Sequence, residues 1–340
     1  MVIRENISLR NNNTFGIDIA ARYFSAFSHI EDLEKLPVDD RSVLVLGGGS
    51  NLLFTHDYPG LVLKNEVLGV DLVHEDDDYV YVRAGGGENW HSFVMHCVSN
   101  DYAGVENLSL IPGNVGAAPI QNIGAYGVEL ESVFWNLEAF HLRERKMYTF
   151  TRSDCEFGYR DSVFKNRFRN EFVITHVCFR LRKKPVFHTS YGAIGDQLSK
   201  AGVKDISIRA ISEAVIAIRR SKLPDPAEIG NAGSFFKNPT VPKTVFESLE
   251  VKHPGIVGYA NIDGSVKLAA GWLIEHCGPD ETTSWKGYRE GDAGCHARQA
   301  LVLVNYGNAT GKQIYELSDR IIKSVKGKFN VQLEREVNII

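Results

Sequence analysis

The pattern of apolar and polar positions changes character along the chain. Short apolar runs punctuated by glycine come first: RSVLVLGGG at 41–49, GLVLKN at 60–65 and YVYVRAGGG at 79–87, in which Val80, Val82 and Ala84 alternate with polar or aromatic residues. Such alternation predicts strands. In NWHSFVMHCVSN, 89–100, Trp90, Phe93, Val94, Cys97 and Val98 recur at i, i+3, i+4, i+7 and i+8, the core-facing stripe of an amphipathic helix. SVFWNLEAFHL (132–142) and FVITHVCFRL (172–181) return to strand character, closed by Lys183-Lys184-Pro185. Helical periodicity then takes over. ISEAVIAIRRSKLP (211–224) carries Ile211, Ala214, Val215 and Ile218 on one face and stops at Pro224. KLAAGWLIEHCG (267–278) and GKQIYELSDRIIKSVKGKF (311–329) are two further helix candidates, and VQLEREVNII (331–340) is a strand-like tail.

These elements predict an α+β protein. A chain of 340 residues exceeds one typical core. The pattern places one α+β domain at about 17–184, a second at about 200–325, and a tail over 326–340 returning to a substrate cleft.

Composition narrows the partners. With 44% hydrophobic residues the chain can fill its cores, and a formal net charge of −4 without a Lys/Arg stripe excludes an electrostatic nucleic-acid binder. The local cluster Arg143, Arg145, Lys146 reads as a solvated hairpin tip. Five cysteines with no C-x-x-C pair suit a reducing compartment and core positions, without structural disulfides or a metal site. No apolar run approaches the roughly 20 residues of a membrane span, and the N-terminus lacks the apolar core of a signal peptide. A cytoplasmic protein is expected.

The candidate chemistry lies in two glycine-rich loops. SLIPGNVGAAPIQNIGAYG, 109–127, contains almost no charge. Gly113, Gly116 and Gly124 admit close approach or positive φ, so backbone amides can lie against an anion, for which a diphosphate fits best. The other loop, VLVLGGGSNLL, follows a β-branched strand but fails the dinucleotide fingerprint G-x-G-x-x-G, because Leu52 stands where the last glycine belongs and a strand follows instead of a crossover helix. Gly47, Gly48, Gly49, Ser50 and Asn51 form a nest for phosphate oxygens instead. Neither loop supplies a P-loop lysine or a magnesium carboxylate pair, which favours a dinucleotide over ATP. Three further groups can serve proton and hydride chemistry: Arg160 in FGYRDS, Ser234 in GNAGSFFKNP and Glu336 in LEREVNII. Each alone also reads as an ordinary surface arginine, small core serine or solvent-facing strand carboxylate.

SLIPGNVGAAPIQNIGAYG resembles the flavin-cradling loop of the UDP-N-acetylenolpyruvoylglucosamine reductase (MurB) family. The similarity continues through GGGSNLL (47–53), CEFGYRDSVFK (155–165), SKLPDPAEIGNAGSFFKNP (221–239), GSVKLAAGWLIE (264–275) and LEREV (333–337). The resemblance implies an FAD-binding domain of the p-cresol methylhydroxylase/vanillyl-alcohol oxidase type over 17–184, in two subdomains of about 1–66 and 67–184, and a C-terminal substrate-binding domain. Gly47, Gly48, Gly49, Ser50, Asn51, Pro112, Gly113, Gln121, Asn122 and Gly124 would cradle FAD, held noncovalently because neither loop contains His or Cys. The implied reaction is NADPH-driven reduction of UDP-N-acetylglucosamine enolpyruvate to UDP-N-acetylmuramate in peptidoglycan precursor synthesis, with hydride delivered from flavin N5. By the same match Arg160 and Glu336 stabilise the charge that develops on the enolpyruvyl group, and Ser234 protonates the carbanion. Tyr191, Lys222, Asn238, Tyr259 and Lys267 match substrate-binding positions. The insertion RKKPVFHTSYGAIGDQLSKAG resembles the loop of type I enzymes, in which Tyr191 closes over substrate. Family members often follow the catalytic glutamate with Val-Arg, whereas Glu336 is followed by Val337 and Asn338, which puts one substrate contact in doubt. A monomer is expected.

Other readings fit less well. An FAD oxidase of the same fold would lack the serine donor, and a nonredox nucleotide-sugar sensor would not need Arg160, Ser234 and Glu336 together. Gly-Ser-Phe-Phe does not supply the G-x-S-x-G of a hydrolase nucleophile.

Overall fold

A computed structural model describes residues 1–36, 41–190 and 193–340. The chain forms two units woven from discontinuous segments. The first comprises Met1–Ile7, Ala21–Gly49 and Tyr58–Ser221, the second Ser8–Ala20, Ser50–Asp57 and Lys222–Ile340. The division falls inside the GGGSN loop. Residues 194–221, which the sequence pattern split between a linker and the second domain, pack within the first unit.

The first unit holds two main sheets, besides a two-stranded pair of Gly124–Ala125 with Val128–Glu129. In the smaller, Val43–Leu46 and Ala20–Phe27 flank Tyr58–Asn65 in parallel, with Arg4–Ser8 at the edge. Val43–Leu46 leads through 47–57 to its parallel neighbour without a helix, so a Rossmann crossover is absent here, as the spacing predicts. The larger sheet is antiparallel, with Phe172–Arg182 at its centre between Phe134–His141 and Tyr79–Gly85, and Lys146–Thr151 and Val70–Glu75 outside.

The unit contains α1 (Ile30–Glu34), α2 (Trp90–Ser99), α3 (Ile194–Lys200) and α4 (Ile208–Lys222), the last reaching the unit boundary. All five residues of the α2 stripe are buried. Burying side chains of this size is worth about 1.5–3 kcal/mol each. Asn89 caps the helix, its side chain accepting the Ser92 amide at 3.0 Å. Trp90 and Phe93 meet Phe179 of the central strand at centroid distances of 5.8 and 4.6 Å. The apolar face of α4 packs with Ile194 and Leu198 of α3, and Tyr126 joins that cluster from the long loop. Arg145 departs from the expected solvated tip: it is half-buried, and its guanidinium donates to the Leu36 and Leu33 carbonyls at 3.0 and 3.4 Å, satisfying carbonyls at the end of α1.

The second unit carries α5 (Lys243–Lys252), α6 (Ala270–Glu275) and α7 (Gly311–Phe329). α7 spans the predicted residues. Thr310 and Gln313 form a capping box at its start, and it buries Ile314, Leu317, Ile321, Val325 and Phe329. α6 is shorter than the sequence predicts. Val266–Leu268 is the central strand between Thr240–Val241 and Gly258–Ala260, and pairing on both edges removes these residues from the helix. A second small sheet runs Gly230–Asn231, Leu303–Asn305, Ala293–Cys295, Arg289–Glu290. The tail contributes one bridge at Arg335 and a two-residue strand, Asn338–Ile339, parallel to Leu52–Leu53. All five cysteines are free and buried, and burial pushes the thiols of Cys155 and Cys295 up to about 12, which fits the expected core role.

Candidate functional site

In the first unit the two glycine-rich loops meet. A Cβ on Gly48 would lie 2.6 Å from the Asn114 side-chain oxygen and 3.0 Å from Gly113 Cα, so a larger residue here would displace the Asn114 side chain and crowd the facing backbone. Gly49 and Gly113 both have positive φ, 63° and 115°. Gly47 lies against Asn114, and Pro112 is exposed beside half-buried Gly113. The Asn114 side chain fills the seam between the loops, and the glycines let the two backbones approach this closely.

The N-terminus of α2 secures this loop. Trp90 N–H donates to Gly113 O at 3.0 Å, Val115 N–H to Glu88 O at 2.9 Å, and the Trp90 indole to Leu108 O at 2.9 Å. Leu110 has φ +58°, a conformation costing a side-chain-bearing residue about 1–2 kcal/mol.

Further along, Gln121 is half-buried at the end of the turn Pro119–Gln121, and Asn122 follows, fully buried, with φ +41°. The Asn122 amide donates to Glu129 Oε2 at 3.0 Å and Gly158 O at 3.1 Å, while its oxygen accepts the Glu131 amide at 3.0 Å. This side chain therefore works inside the protein, tying the loop to the turn that carries Arg160. That turn is a two-residue reversal, Tyr159–Arg160, closed by reciprocal bonds between Gly158 and Asp161, with Arg160 in the left-handed region at φ +55°. The guanidinium donates from Nη2 to Gly124 O at 2.6 Å, and Lys165 donates to Arg160 O at 3.2 Å. Gly124 and Arg160, both selected from sequence, are thus in direct contact.

Arg219 of α4 was not selected from sequence. Its Nε donates to Leu110 O at 3.1 Å. Burial, opposed by Tyr126 and reinforced by the like charge of Arg160, presses its pKa below the ordinary arginine value. Two cationic groups therefore serve the same loop region. Periodicity held the signal: Arg219 stands four residues after Val215 and eight after Ile211, on the apolar stripe of α4, where an arginine needs a partner inside the protein.

In the second unit, Ser234 and Glu336 lie on segments that run together. Phe236 bridges Arg335 in antiparallel fashion. The Glu336 amide donates to Phe235 O at 2.9 Å, and the Lys237 amide to Glu334 O at 2.9 Å. Ser234 is half-buried between Gly233, at φ +67°, and the buried pair Phe235 and Phe236. Glu336 is also half-buried. Asn51 reaches the tail as well, donating to Glu336 O at 3.3 Å, and it follows half-buried Ser50. Asn338 donates from its side chain to Asn51 O at 3.0 Å. It fastens the tail to the GGGSN loop.

Arg335 anchors the same tail to α7, donating to Ser318 Oγ at 2.8 Å, pairing with Asp319 and lying over the Tyr315 ring at 4.4 Å. Arg335→Ala is expected to lower stability by about 1–2 kcal/mol, the upper range being cut by the half-exposed Asp319. A urea transition at the wild-type midpoint would show that the anchor contributes nothing.

Tyr259 and Lys267 face one another in register on adjacent strands, so their side chains share a sheet face. Tyr259 is exposed and Lys267 half-buried. Asn238 accepts the Ala270 amide at 3.0 Å, completing the first turn of α6. Lys222 is exposed at the end of α4. Tyr191 lies outside the described residues.

Comparison with known proteins matches both parts of this geometry. A family model described as "FAD binding domain" matches residues 33–142, and one described as "UDP-N-acetylenolpyruvoylglucosamine reductase, C-terminal domain" matches 225–340. A UDP-N-acetylenolpyruvoylglucosamine reductase of Flavobacterium johnsoniae is 46% identical over 343 residues, covering 100% of both chains. The protein of that name from Chromobacterium violaceum is 49% identical, covering 99% of this chain and 98% of its own. The crystal structure of the Thermus caldophilus enzyme superposes with a TM-score of 0.69 at 23% identity, covering 99% of each chain, and shows that the fold is shared. Full-length identity at this level, with one model on the glycine-loop half and another on the half carrying Ser234 and Glu336, places the chain in the UDP-N-acetylenolpyruvoylglucosamine reductase family.

Proposed function

We propose that this protein is an FAD-dependent reductase that uses NADPH to convert UDP-N-acetylglucosamine enolpyruvate to UDP-N-acetylmuramate in peptidoglycan precursor synthesis. The observation that carries the reading is the close packing of the two glycine-rich loops at Gly48 and Gly113, inside the region that matches an FAD-binding domain. Gly47, Gly48, Gly49, Ser50, Asn51, Pro112, Gly113, Gln121 and Gly124 hold the cofactor, and Asn122 supports the loop from within. Bound FAD supplies the hydride-transfer chemistry. The protein then has two tasks, stabilising negative charge on the enolpyruvyl group and protonating the adjacent carbon. Arg160 and Glu336 take the first and Ser234 the second. Lys222, Asn238, Tyr259 and Lys267, with Tyr191, bind the UDP-sugar.

NADPH and the UDP-sugar use the cleft in turn, giving ping-pong kinetics. The protein acts as a cytoplasmic monomer; among the described residues no helix is long and apolar enough to cross a membrane. The functional division follows the two units, with FAD binding in the first, including residues 194–221, and substrate binding in the second, including a catalytic tail over 326–340.

The decisive experiment is the visible spectrum of the purified protein, followed by NADPH and then the enolpyruvyl substrate under anaerobic conditions. Oxidised-flavin bands that bleach with NADPH and return with substrate support the reading, and a colourless protein that takes up no FAD ends it. Because neither glycine loop holds a tethering His or Cys, acid precipitation is expected to release all the yellow colour to the supernatant. Flavin retained in the pellet would contradict noncovalent binding.

A further inference from the structure

The geometry points to His91 as a positioning residue for the cofactor: with Arg219 it clamps the left-handed Leu110 peptide and so fixes the Pro112–Gly113 edge of the cradle. This rests on the reading that the 109–127 loop holds FAD.

Leu110 is a side-chain-bearing residue at φ +58°, two positions before Pro112. Such a backbone persists only where its surroundings over-determine it. Both polar groups flanking this strained residue are held from outside the loop. The Leu110 amide donates to His91 Nδ1 at 3.0 Å, and the Leu110 carbonyl accepts from Arg219 Nε at 3.1 Å. His91 is the second residue of α2. The preceding residue, Trp90, already binds the carbonyls of Leu108 and Gly113, so the three contacts fix the loop before, at and after the strained peptide. No other side-chain bond to the Leu110 amide occurs among the described residues.

The contact has a chemical requirement. His91 Nδ1 accepts, so the ring must be the neutral tautomer with its proton on Nε2; an imidazolium has no acceptor and would turn an N–H toward the Leu110 N–H. The charged groups facing the ring are Arg219 and Arg220 of α4, both cationic, and together with burial they hold the His91 pKa below its ordinary value of 6.5. Because the folded pKa is lowered, the clamp is complete at neutral pH. It weakens only on the acid side of 6.5, as the proton cost of the folded form grows.

Flavin release from the holoenzyme, followed by the rise in free-flavin fluorescence on dilution, tests the clamp. His91→Phe keeps ring volume without an acceptor, and is expected to release flavin at least about tenfold faster at pH 7.5. His91→Asn offers Oδ1 in place of Nδ1 and does not titrate; it should stay within about threefold of wild type at pH 7.5. Wild-type release should accelerate only on the acid side of pH 6.5, once the lowered pKa of His91 is passed, while the asparagine variant stays flat. Hydrogen exchange at the Leu110 amide should follow the same order with or without flavin. Wild-type release and Leu110 protection in the phenylalanine variant would overturn the clamp. So would identical acid profiles for wild type and His91→Asn, which decide the matter even if His91→Phe does not fold. A wild-type protein that never binds FAD would sink the proposed function instead, and the Leu110 exchange comparison would still judge His91.

Discussion

Replacing Ser234 with alanine is expected to leave NADPH-driven flavin reduction near the wild-type rate while slowing reoxidation by the enolpyruvyl substrate about 10²–10⁴-fold, the range for a positioned proton donor. The structure sharpens the contrast with a packing role. Ser234 is half-buried while Phe235 and Phe236 beside it are fully buried, so the two aromatic residues fill the core and the hydroxyl is not needed to do so. If the serine only packs, its loss should cost about 1 kcal/mol of stability and leave turnover intact. Serine is a weak acid, yet a carbanion is basic enough to take its proton if nearby charge tolerates the transient alkoxide, a role open to Lys222 or water. Ser234→Cys should therefore retain more activity than alanine. Stopped-flow measurement of the two half-reactions separates the outcomes, and an alanine variant that reoxidises at the wild-type rate eliminates Ser234 as the acid.

Much of the fold was legible because local rules agree with tertiary packing. The α2 stripe and the Gly311–Phe329 helix show helical period and capping chemistry together. The failure of G-x-G-x-x-G at Leu52 foretold a strand where a Rossmann fold has a helix. Where periodicity and pairing compete, the sequence misled. KLAAGWLIEHCG has a helical pattern throughout, but Val266–Leu268 gains two hydrogen-bonded neighbours as a strand and leaves only Ala270–Glu275 to the helix. Pairing partners that lie 240–260 in the sequence cannot be seen within a short window.

The glycine loops were visible as composition, and their mutual approach at Gly48 and Gly113 is what composition could not specify. The side chains that hold the loops were the hardest to find. Asn122 was selected as a ligand contact, and its three hydrogen bonds inside the protein reveal a structural duty. His91 lies off the apolar stripe of α2, whereas Arg219 lies on that of α4, where periodicity turns it inward without naming its partner. Their function depends on one strained peptide at Leu110, and strain of that kind has no signature in a leucine codon's position along the chain. Asn338 shows the reverse case, since a position that left one substrate contact in doubt has a local partner in Asn51.

Arg160→Gln is expected to slow the enolpyruvyl half-reaction about 10²–10³-fold, the cost of losing one preorganised charge-stabilising group, and to leave flavin reduction by NADPH near normal. The separation follows from where charge develops: negative charge grows on the enolpyruvyl carboxylate only in the second half-reaction. Preorganisation is visible in the turn itself. Arg160 is held at φ +55° with its guanidinium fixed on Gly124 O, its carbonyl bound by Lys165, and its turn tied to Asn122. Arg160→Lys preserves the charge but not the planar fork, so it should recover only part of the rate. Glu336→Gln should impair the same half-reaction, since its carboxylate is assigned to the same charge. Arg160→Gly distinguishes chemistry from folding, because glycine adopts this backbone without the penalty that arginine carries. It should be about as stable as wild type in urea and yet as slow as Arg160→Gln. If the glycine variant turned over normally, or if Arg160→Gln or Glu336→Gln slowed only flavin reduction, the pair would have no part in stabilising the enolpyruvyl charge.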